Sequence, residues 1–292
     1  MIWILLAFLS AALLGCYDVC KKQALLNNAV LPVLFLNTLF CSLIFLPFVG
    51  HAPFGGWDVQ KYILLKACIV LCSWVLGYIG MKNLPITLVG PINATRPVMV
   101  LLGALLLFGE KLNAYQWTGV ALAILSFFML SRSGRKEGID FRHNKWIFCI
   151  VGAAVMGAVS GLYDKYLMTS ATEGGIGLNR ITVQCYYNFY QCLMMGLAVL
   201  AFRNHGRETT PFRWSWSIPL ISIFLSMADF AYFHSLSLDG ALVSVVSMVR
   251  RGSVVVSFLL GALLFHEKNL RSKALDLLLV LAGMVFLYLG TR

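Results

Sequence analysis

Long apolar runs separated by short polar breaks fill the whole chain. Each run has about 20 predominantly apolar residues, the length that an α-helix needs to cross the hydrocarbon core of a bilayer. The breaks carry turn residues, such as Gly55-Gly56 and Asp239-Gly240. The pattern predicts an all-α membrane protein with ten transmembrane helices, at 2–22, 31–49, 61–81, 86–108, 113–131, 146–168, 181–202, 217–237, 241–265 and 272–290.

Composition supports this class and excludes several others. The 292 residues are 60% hydrophobic and 12% charged, with a mean hydropathy of +0.82, whereas a soluble protein is about 25% charged. This much apolar surface excludes a soluble enzyme and a disordered chain. The eight cysteines all fall in apolar runs, where they behave as small hydrophobic residues. We find no grouped His and carboxylate residues, no nucleophile beside a base and no glycine-rich nucleotide loop, so we expect no metal, no cofactor and no enzyme activity.

Polar residues of the first half recur in the second half, in the same order. Tyr17-Asp18 recurs as Tyr163-Asp164 at an offset of 146 residues, and the offset then grows along the chain as small loop insertions would make it grow. Further recurrences are Asn37 with Asn188 at 151, and Tyr78 and Arg96 with Tyr232 and Arg250 at 154. We therefore predict an internal repeat.

The predicted repeat unit contains five helices, which is an odd number. The second unit must then enter the membrane from the opposite side, which gives the inverted-topology repeat typical of secondary transporters with a site at the repeat interface. The predicted organisation is a first unit at 1–131, a basic connecting loop at 132–145 and a second unit at 146–292.

Two similar sequences end predicted helices 4 and 9, Gly109-Glu110-Lys111 and His266-Glu267-Lys268. Together with the five-helix repeat, these endings resemble the drug/metabolite transporter superfamily in its ten-helix, EamA-like form. The resemblance covers essentially the whole chain. It implies an alternating-access carrier of small metabolites, whose site lies between the two repeats.

The net charge of +11 resolves into loop charges and three arginines. Of the Lys and Arg residues assigned to loops and ends, 14 lie on one side of the predicted membrane and 6 on the other. The positive-inside rule places the 14 in the cytoplasm and both termini outside, whereas the superfamily resemblance implies termini inside. We expect a multi-pass protein of a bacterial inner (plasma) membrane, a monomer or homodimer whose partners are the lipid bilayer and a small-molecule substrate, and no nucleic-acid partner.

The three remaining arginines, Arg96 on predicted helix 4 and Arg250-Arg251 on predicted helix 9, are the main candidate site. An arginine at the bilayer centre costs about 2.5–3.5 kcal/mol, so each must face a cavity or a partner. Guanidinium groups match phosphate or carboxylate, which indicates an anionic substrate. The position of these cations resembles the triose-phosphate translocator branch, which tends to have Lys where this chain has Arg. The alternative is that carboxylates neutralise them, with Asp18, Asp164, Asp229 and Asp276 as candidates.

The embedded aspartates have two interpretations. Asp18 and Asp164, each directly after a tyrosine (Tyr17 and Tyr163), are gate or proton-coupling residues in one interpretation, alternately exposed as the carrier rocks. In the other they are interfacial carboxylates, paired with Lys21/Lys22 and with Lys165. Asp229 carries a coupling proton or pairs with an arginine.

Aromatic and amide side chains complete the candidate set. The stretch Tyr186-Tyr187-Asn188 resembles the aromatic-Tyr-Asn motif of nucleotide-sugar transporters and suits a sugar or base ring; interhelical hydrogen bonding is the alternative. Asn37 is its counterpart on predicted helix 2. Trp74, Tyr78 and Tyr232 are candidates to line the cavity or to pack the membrane domain.

The sequence therefore predicts a secondary active transporter that holds a small anionic or phosphorylated metabolite with membrane-embedded arginines and moves it by alternating access. The alternative is a proton-coupled exporter of amino acids or amphipathic drug-like compounds, with the arginines in structural ion pairs. Substrate identity, direction and coupling ion are left open at this point.

Overall fold

The helices of this protein are defined by a computed structural model. It describes residues 2–26, 28–99, 102, 113–135, 138–168, 174–202, 212–237, 246, 249–267 and 269–290. These residues form helices and short connections, and no β-strand occurs among them. In chain order the helices are α1 (Ile2–Leu25), α2 (Val30–Phe45), a 3₁₀ turn (Leu46–His51), α3 (Trp57–Asn83), α4 (Ile86–Ala94), α5 (Ala114–Arg135), α6 (Lys145–Met168), α7 (Arg180–Phe202), α8 (Ser217–Ser237), α9 (Ser253–Phe265) and α10 (Leu270–Leu289).

Six segments are long and apolar enough to cross a membrane, counting the described residues only. They are Ile2–Leu25, Val30–His51, Trp57–Asn83, Ala114–Arg135, Lys145–Asp164 and Leu270–Leu289. Large apolar side chains such as Phe8, Phe128 and Leu278 point outward, as expected where lipid is the solvent. The all-α membrane class is confirmed, while ten spans in two inverted repeats stay a prediction.

The turns fall close to the predicted breaks. Gly55 and Gly56 have positive φ angles of 68° and 78°, which glycine adopts at no steric cost, and α3 begins directly after them. Leu84 and Pro85 separate α3 from α4. Several boundaries differ: α3 begins at Trp57 and not at 61, and α5 continues to Arg135, so it includes the first residues of the predicted 132–145 loop. The Asp239-Gly240 break and the Gly109-Glu110-Lys111 motif lie outside the described residues.

Helices of the first half pack mainly against helices of the second half. The pairs are α1 with α8, α3 with α6, α2 with α7, α4 with α9 and α5 with α10. Hydrogen bonds cross the first three of these contacts: Ser10 Oγ donates to the Ala228 carbonyl at 2.7 Å, Ser73 Oγ to the Ala153 carbonyl at 2.8 Å, and Ser42 Oγ to the Asn188 carbonyl at 3.0 Å.

Each pair runs antiparallel, as the contacts along α5 and α10 illustrate. Asn113 Nδ2 donates to the Gly290 carbonyl at 2.6 Å, and Ser126 Oγ donates to the Asp276 carbonyl at 2.8 Å. Between them, a Cβ on Gly119 would lie 2.7 Å from the Gly283 carbonyl oxygen. The two helices therefore approach closely because both residues lack a side chain, a common feature of membrane helix interfaces.

Charged side chains form hydrogen bonds with backbone groups at two helix ends inside the bundle. Lys22 Nζ donates to the Met81 and Leu84 carbonyls at 2.8 and 2.6 Å, at the end of α3. Glu267 accepts from the backbone N–H groups of Ile86 and Thr87 at 2.7 and 3.0 Å, at the start of α4. A carboxylate stabilises the four N–H groups that a helix start leaves without partners. Although Glu267 precedes α10 in sequence, it caps α4.

Four lysines assigned to loops by sequence are buried in helices. They are Lys21, Lys22 and Lys273 of the larger set and Lys66 of the smaller set, each at most 8% exposed. Excluding them leaves 11 and 5 basic residues on the two sides, so the charge asymmetry remains but part of it never reaches a loop.

Candidate functional site

A cavity of about 360 Å³ lies between α1, α3 and the chain around α4 and α9. Its floor and walls combine cations, aromatic rings and small polar groups. The lining residues are Leu14, Tyr17, Asp18, Lys21, Ser73, Trp74, Gly77, Tyr78, Met81, Asn93, Ala94, Arg96, Tyr232, Arg250, Arg251, Ser253 and Val254. The structure thus brings all three predicted arginines to one space.

Interruptions in two helices lie beside the arginines. Thr95 forms a turn after α4, and the chain is helical again from Arg96 to Met99. Pro97 has no N–H to donate to the Asn93 carbonyl, which explains the break. In the second half, Gly252 forms a turn directly after Arg250-Arg251 and before α9. Broken helices at a site are characteristic of transporters, because irregular backbone is tolerated where it lines a cavity.

Arg96 contacts little that neutralises it. Its Nη2 donates to Asn93 Oδ1 at 3.2 Å, and its buried Nε has no hydrogen-bond partner. The guanidinium lies against Gly157 of α6, where an added Cβ would be 2.9 Å from Arg96 Cζ. Gly157 therefore makes room for this side chain. None of the described carboxylates forms an ion pair with Arg96.

The two neighbouring arginines differ from each other. Arg250 forms a hydrogen-bonded ion pair with Asp229 of α8, and its guanidinium lies 4.3 Å from the centre of the Tyr232 ring. Arg251 lines the same cavity and has no ion pair with a described carboxylate. Of the predicted alternatives for Asp229, the structure places it beside an arginine.

A fourth cation faces the cavity from α1. Lys21 Nζ lies 3.0 Å from Asp18 Oδ1, and it also lies 4.5 Å and 5.4 Å from the ring centres of Tyr17 and Tyr78. The charge count by sequence assigns Lys21 to a loop, and this assignment is wrong. Its position three residues after Asp18, on the same helix face, is the sequence signal that it belongs with the site.

The cavity therefore carries excess positive charge. Asp18 compensates Lys21, and Asp229 compensates Arg250. Among the described residues, Arg96 and Arg251 are left without a compensating carboxylate. Two guanidinium groups that are mostly removed from water and unneutralised form a binding surface for an anion.

A second polar cluster lies elsewhere along α3. Lys66 forms a hydrogen-bonded ion pair with Asp164 of α6, and its Nζ lies 5.3 Å from the ring centre of Tyr187. Tyr163 donates its hydroxyl proton to the Tyr62 carbonyl at 3.2 Å. Asp164, Tyr163 and Tyr187 do not line the cavity, and the partner of Asp164 is Lys66; the side chain of Lys165 lies outside the described residues.

The two predicted asparagines lie between helices. Asn37 is 0% exposed, and its Oδ1 accepts from Ser222 Oγ of α8 at 2.8 Å. Asn188 is 3% exposed, and its Nδ2 donates to the Gln184 carbonyl at 2.9 Å. Neither residue lines the cavity. The contact of Asn37 fits the interhelical hydrogen bonding that was the alternative interpretation, whereas the Asn188 side chain bonds within α7 and its backbone carbonyl accepts from Ser42 of α2. The described residues contain no group of three or more His, Cys, Asp or Glu side chains suited to a metal ion.

Comparison with known proteins gives the class. Residues 1–132 match the EamA-like transporter family. A solved crystal structure of a protein aligns with 99% of this chain and 98% of its own length, with a TM-score of 0.61 and 14% sequence identity, so the two share a fold. No curated protein sequence matches the chain.

The family match confirms the resemblance to the drug/metabolite transporter superfamily. The six candidate spans and the match over residues 1–132 indicate an integral, multi-pass membrane protein, and the matched family is one of membrane transporters of small molecules. The similarity to the triose-phosphate translocator branch stays a prediction.

Proposed function

We propose that this protein is a secondary active transporter that binds a small anionic organic solute, phosphorylated or carboxylated, in the cavity around Arg96 and Arg251. The observation that carries the proposal is the pair of guanidinium groups without a carboxylate partner among the described residues. A buried cation left without compensation destabilises a membrane protein. A substrate anion supplies that compensation.

The geometry of the donors favours an oxyanion. A guanidinium offers paired N–H groups that match two oxygens of a phosphate or carboxylate. Arg96 still has a buried Nε without a partner, and Asn93 holds the other end of the same group. Arg96 is therefore already oriented while part of its donor capacity is unused.

Aromatic rings around the cations favour an organic solute over a simple inorganic ion. Tyr17, Trp74, Tyr78 and Tyr232 line the cavity, and such rings pack against apolar or cyclic parts of a ligand. The volume of about 360 Å³ lies at the small end of known ligand pockets, which run from about 300 to 1,000 Å³.

Alternating access is supported by how the two halves pack. If α1–α5 and α6–α10 are inverted repeats, then α6 is the counterpart of α1, and α8 is the counterpart of α3. The contact of α1 with α8 then corresponds to the contact of α6 with α3, and each of the other three pairs joins two equivalent helices. All of these pairs run antiparallel, as inversion requires. Asp18 and Asp164 are then equivalent gate residues: Asp18 faces the cavity, while Asp164 is held by Lys66, about 18 Å along α3 from Tyr78 at 1.5 Å per residue.

The alternative, a proton-coupled exporter with the arginines in structural ion pairs, has one supporting observation. Arg250 is paired with Asp229. The same interpretation does not extend to Arg96 and Arg251. An amino acid or amphipathic compound that is expelled by a pH gradient, with no preference for anions, would favour this function.

Counterflow in proteoliposomes tests the proposal. Vesicles loaded with a phosphorylated, a carboxylated or a neutral metabolite are mixed with the labelled compound, and exchange is followed without a pH gradient. We expect exchange of an anion, a reduction of at least about tenfold in Arg96→Gln, equivalent to about 1.4 kcal/mol, and no change in the control Arg132→Gln near the end of α5. Unchanged anion exchange by Arg96→Gln overturns the proposal.

Ligand binding gives an independent measurement. A solute that binds only the folded protein at 100 times its Kd stabilises it by about 2.7 kcal/mol. The stabilising anion should raise the melting temperature of wild-type protein in detergent and leave that of Arg96→Gln nearly unchanged.

A further inference from the structure

Asp276 is a buried carboxyl group away from the cavity. It is the seventh residue of α10, about 9 Å from the start of a helix about 30 Å long. Its relative exposure is 0%, and neither carboxyl oxygen has a hydrogen-bond partner among the residues that the structure describes. Each of the cavity and gate aspartates, by contrast, contacts a cation: Asp18 with Lys21, Asp164 with Lys66 and Asp229 with Arg250.

Among the described residues, no charged group on the packed helices forms an ion pair with this carboxyl. On α10 itself, Lys273 Nζ donates to Thr87 Oγ1 at 2.9 Å and lies 4.0 Å from Glu267, while Arg271 is at the helix start and Tyr288 is at its end. On α5, the titratable groups are Tyr115 near one end and Arg132 and Arg135 near the other. The segments Ile86–Ala94 of α4 and Ser253–Phe265 of α9 contain no ionisable acid or base.

A hydroxyl group beside Asp276 bonds to its backbone. Ser126 Oγ of α5 donates to the backbone carbonyl of Asp276. An ionised carboxylate without cation or donor in an apolar interior costs several kcal/mol. Burial of this kind favours the protonated acid over the carboxylate.

We propose that Asp276 is a proton-binding site, and that its protonation is coupled to substrate movement. Leu277, the next residue, packs with Val280 against Ala94 and Val254, which line the cavity. The side of α10 next to the carboxyl thus forms the outer layer of the cavity wall. A conformational change that moves this wall also changes the surroundings of Asp276.

The coupling follows from the two protonation states. The conformation described here holds the neutral acid, whereas the ionised form is stable only in a conformation that brings the carboxyl to water. A proton is therefore bound and released as the protein alternates between conformations, and a proton gradient biases that alternation. This coupling rests on the proposed transport function; the proton site itself does not.

Infrared spectroscopy of reconstituted protein tests the site without any transport. The difference spectrum between wild type and Asp276→Asn, followed from about pH 8 to about pH 5, should show the loss of a carboxylic acid C=O band, shifted in D₂O, at a pH where an aspartic acid in water, with a pKa of about 4, is already ionised. The matched control Asp229→Asn should show the loss of carboxylate bands and no acid band over this range. The loss of carboxylate bands alone in Asp276→Asn at every pH overturns the proton site.

Transport measurements test the coupling. Asparagine is nearly isosteric with aspartic acid but cannot titrate. Asp276→Asn should therefore keep anion counterflow within about twofold of the wild-type rate, while the accumulation driven by a proton gradient should fall at least about tenfold. Accumulation equal to wild type, or loss of counterflow by the folded variant, overturns the coupling. Arg96→Gln should lose both activities. If wild-type protein exchanges no anion, the proposed function fails while the infrared result still decides the proton site.

Discussion

Arg96 and Arg250 lie 154 residues apart at equivalent places in the two halves, but their surroundings differ. Arg250 has a carboxylate partner, Asp229, and an aromatic ring against its guanidinium. Arg96 has one amide oxygen, Asn93 Oδ1, and the bare backbone of Gly157. At these two positions of the predicted internal repeat, both halves carry a cation and its compensation differs. Arg250 has a fixed partner, whereas Arg96 is the cation that the proposed substrate anion would neutralise.

The repeat-related aspartates show the same divergence. Asp18 contacts Lys21 one turn away on the same helix, at the cavity. Asp164 contacts Lys66 on a different helix, in a second cluster near Tyr187. The first pair orients side chains within α1, whereas the second joins α3 to α6. Substitutions at the two aspartates should therefore have unequal effects.

The largest effect on stability is expected for Asp164→Asn. This change leaves Lys66, whose side chain is 7% exposed, without its counterion. Because the Asp164 side chain is itself 34% exposed, water screens part of the pair, and the loss should be about 2 kcal/mol, below that of a fully buried pair. Asp18→Asn should cost about 1 kcal/mol or less, because Lys21 keeps the Tyr17 ring and faces the cavity. Unfolding in mixed detergent micelles measures both values.

The double variant Lys66→Met/Asp164→Asn separates charge from packing. It removes the stranded cation, so it should recover most of the stability lost in Asp164→Asn. Equal losses of stability in Asp164→Asn and Asp18→Asn would show that the two ion pairs stabilise the protein to the same extent.

The contrast between the arginines can be sharpened with a change at Gly157. An alanine Cβ there would lie 2.9 Å from Arg96 Cζ, so the guanidinium must move while Arg250 is untouched. Because the displaced atoms are the end of a flexible side chain, Gly157→Ala should fold normally. We expect anion affinity to fall about tenfold, or about 1.4 kcal/mol, measured as the substrate concentration at half-maximal counterflow.

The matched control is Gly152→Ala on the same helix. Its Cβ would lie 3.3 Å from Leu76 Cδ1 and far from any arginine, so affinity should stay at the wild-type value. An unchanged affinity in Gly157→Ala would show that the position of Arg96 does not determine binding.

The membrane class and the grouping of the arginines were predictable, because both follow from the free energy of placing apolar groups in water or charged groups in a bilayer. Apolar runs of helix length have no soluble fold, and an embedded arginine needs a cavity or partner wherever it lies. The predicted helices were recovered closely where the structure describes them. The family match confirms the superfamily, whereas the repeat count and the site roles stay predictions.

Pairing between distant helices was not predictable. Lys66 resembles a loop charge in the sequence, because its position near a predicted span end gives no sign that Asp164 lies beside it. The Tyr78 ring beside Lys21 was hidden in the same way, although the spacing of Lys21 after Asp18 indicated their ion pair. The isolation of Asp276 was equally hidden, since the sequence shows many cations but not which carboxylate each contacts. Side-chain partners depend on helix packing, which a single sequence with a smooth apolar pattern does not specify.

The smallest effect is expected where a charged pair is exposed, in the connection between the two halves. Asp140 contacts His143 Nδ1 at 2.7 Å and accepts from the Arg142 backbone N–H at 3.1 Å. The His143 side chain, and after it this N–H group, lower the pKa of the Asp140 carboxyl below its ordinary value. A lowered native pKa stabilises the fold above the unfolded value of about 4, and this contribution disappears as the pH falls through the native pKa.

Asp140→Asn should therefore lower the melting temperature slightly at neutral pH, by less than either buried variant, and the difference from wild type should vanish below about pH 4. Thermal unfolding in detergent across this pH range measures the difference, with His143→Ala as the partner variant expected to behave in the same way. A difference that stays constant with pH would mean that Asp140 acts through the backbone geometry of the turn and not through its charge.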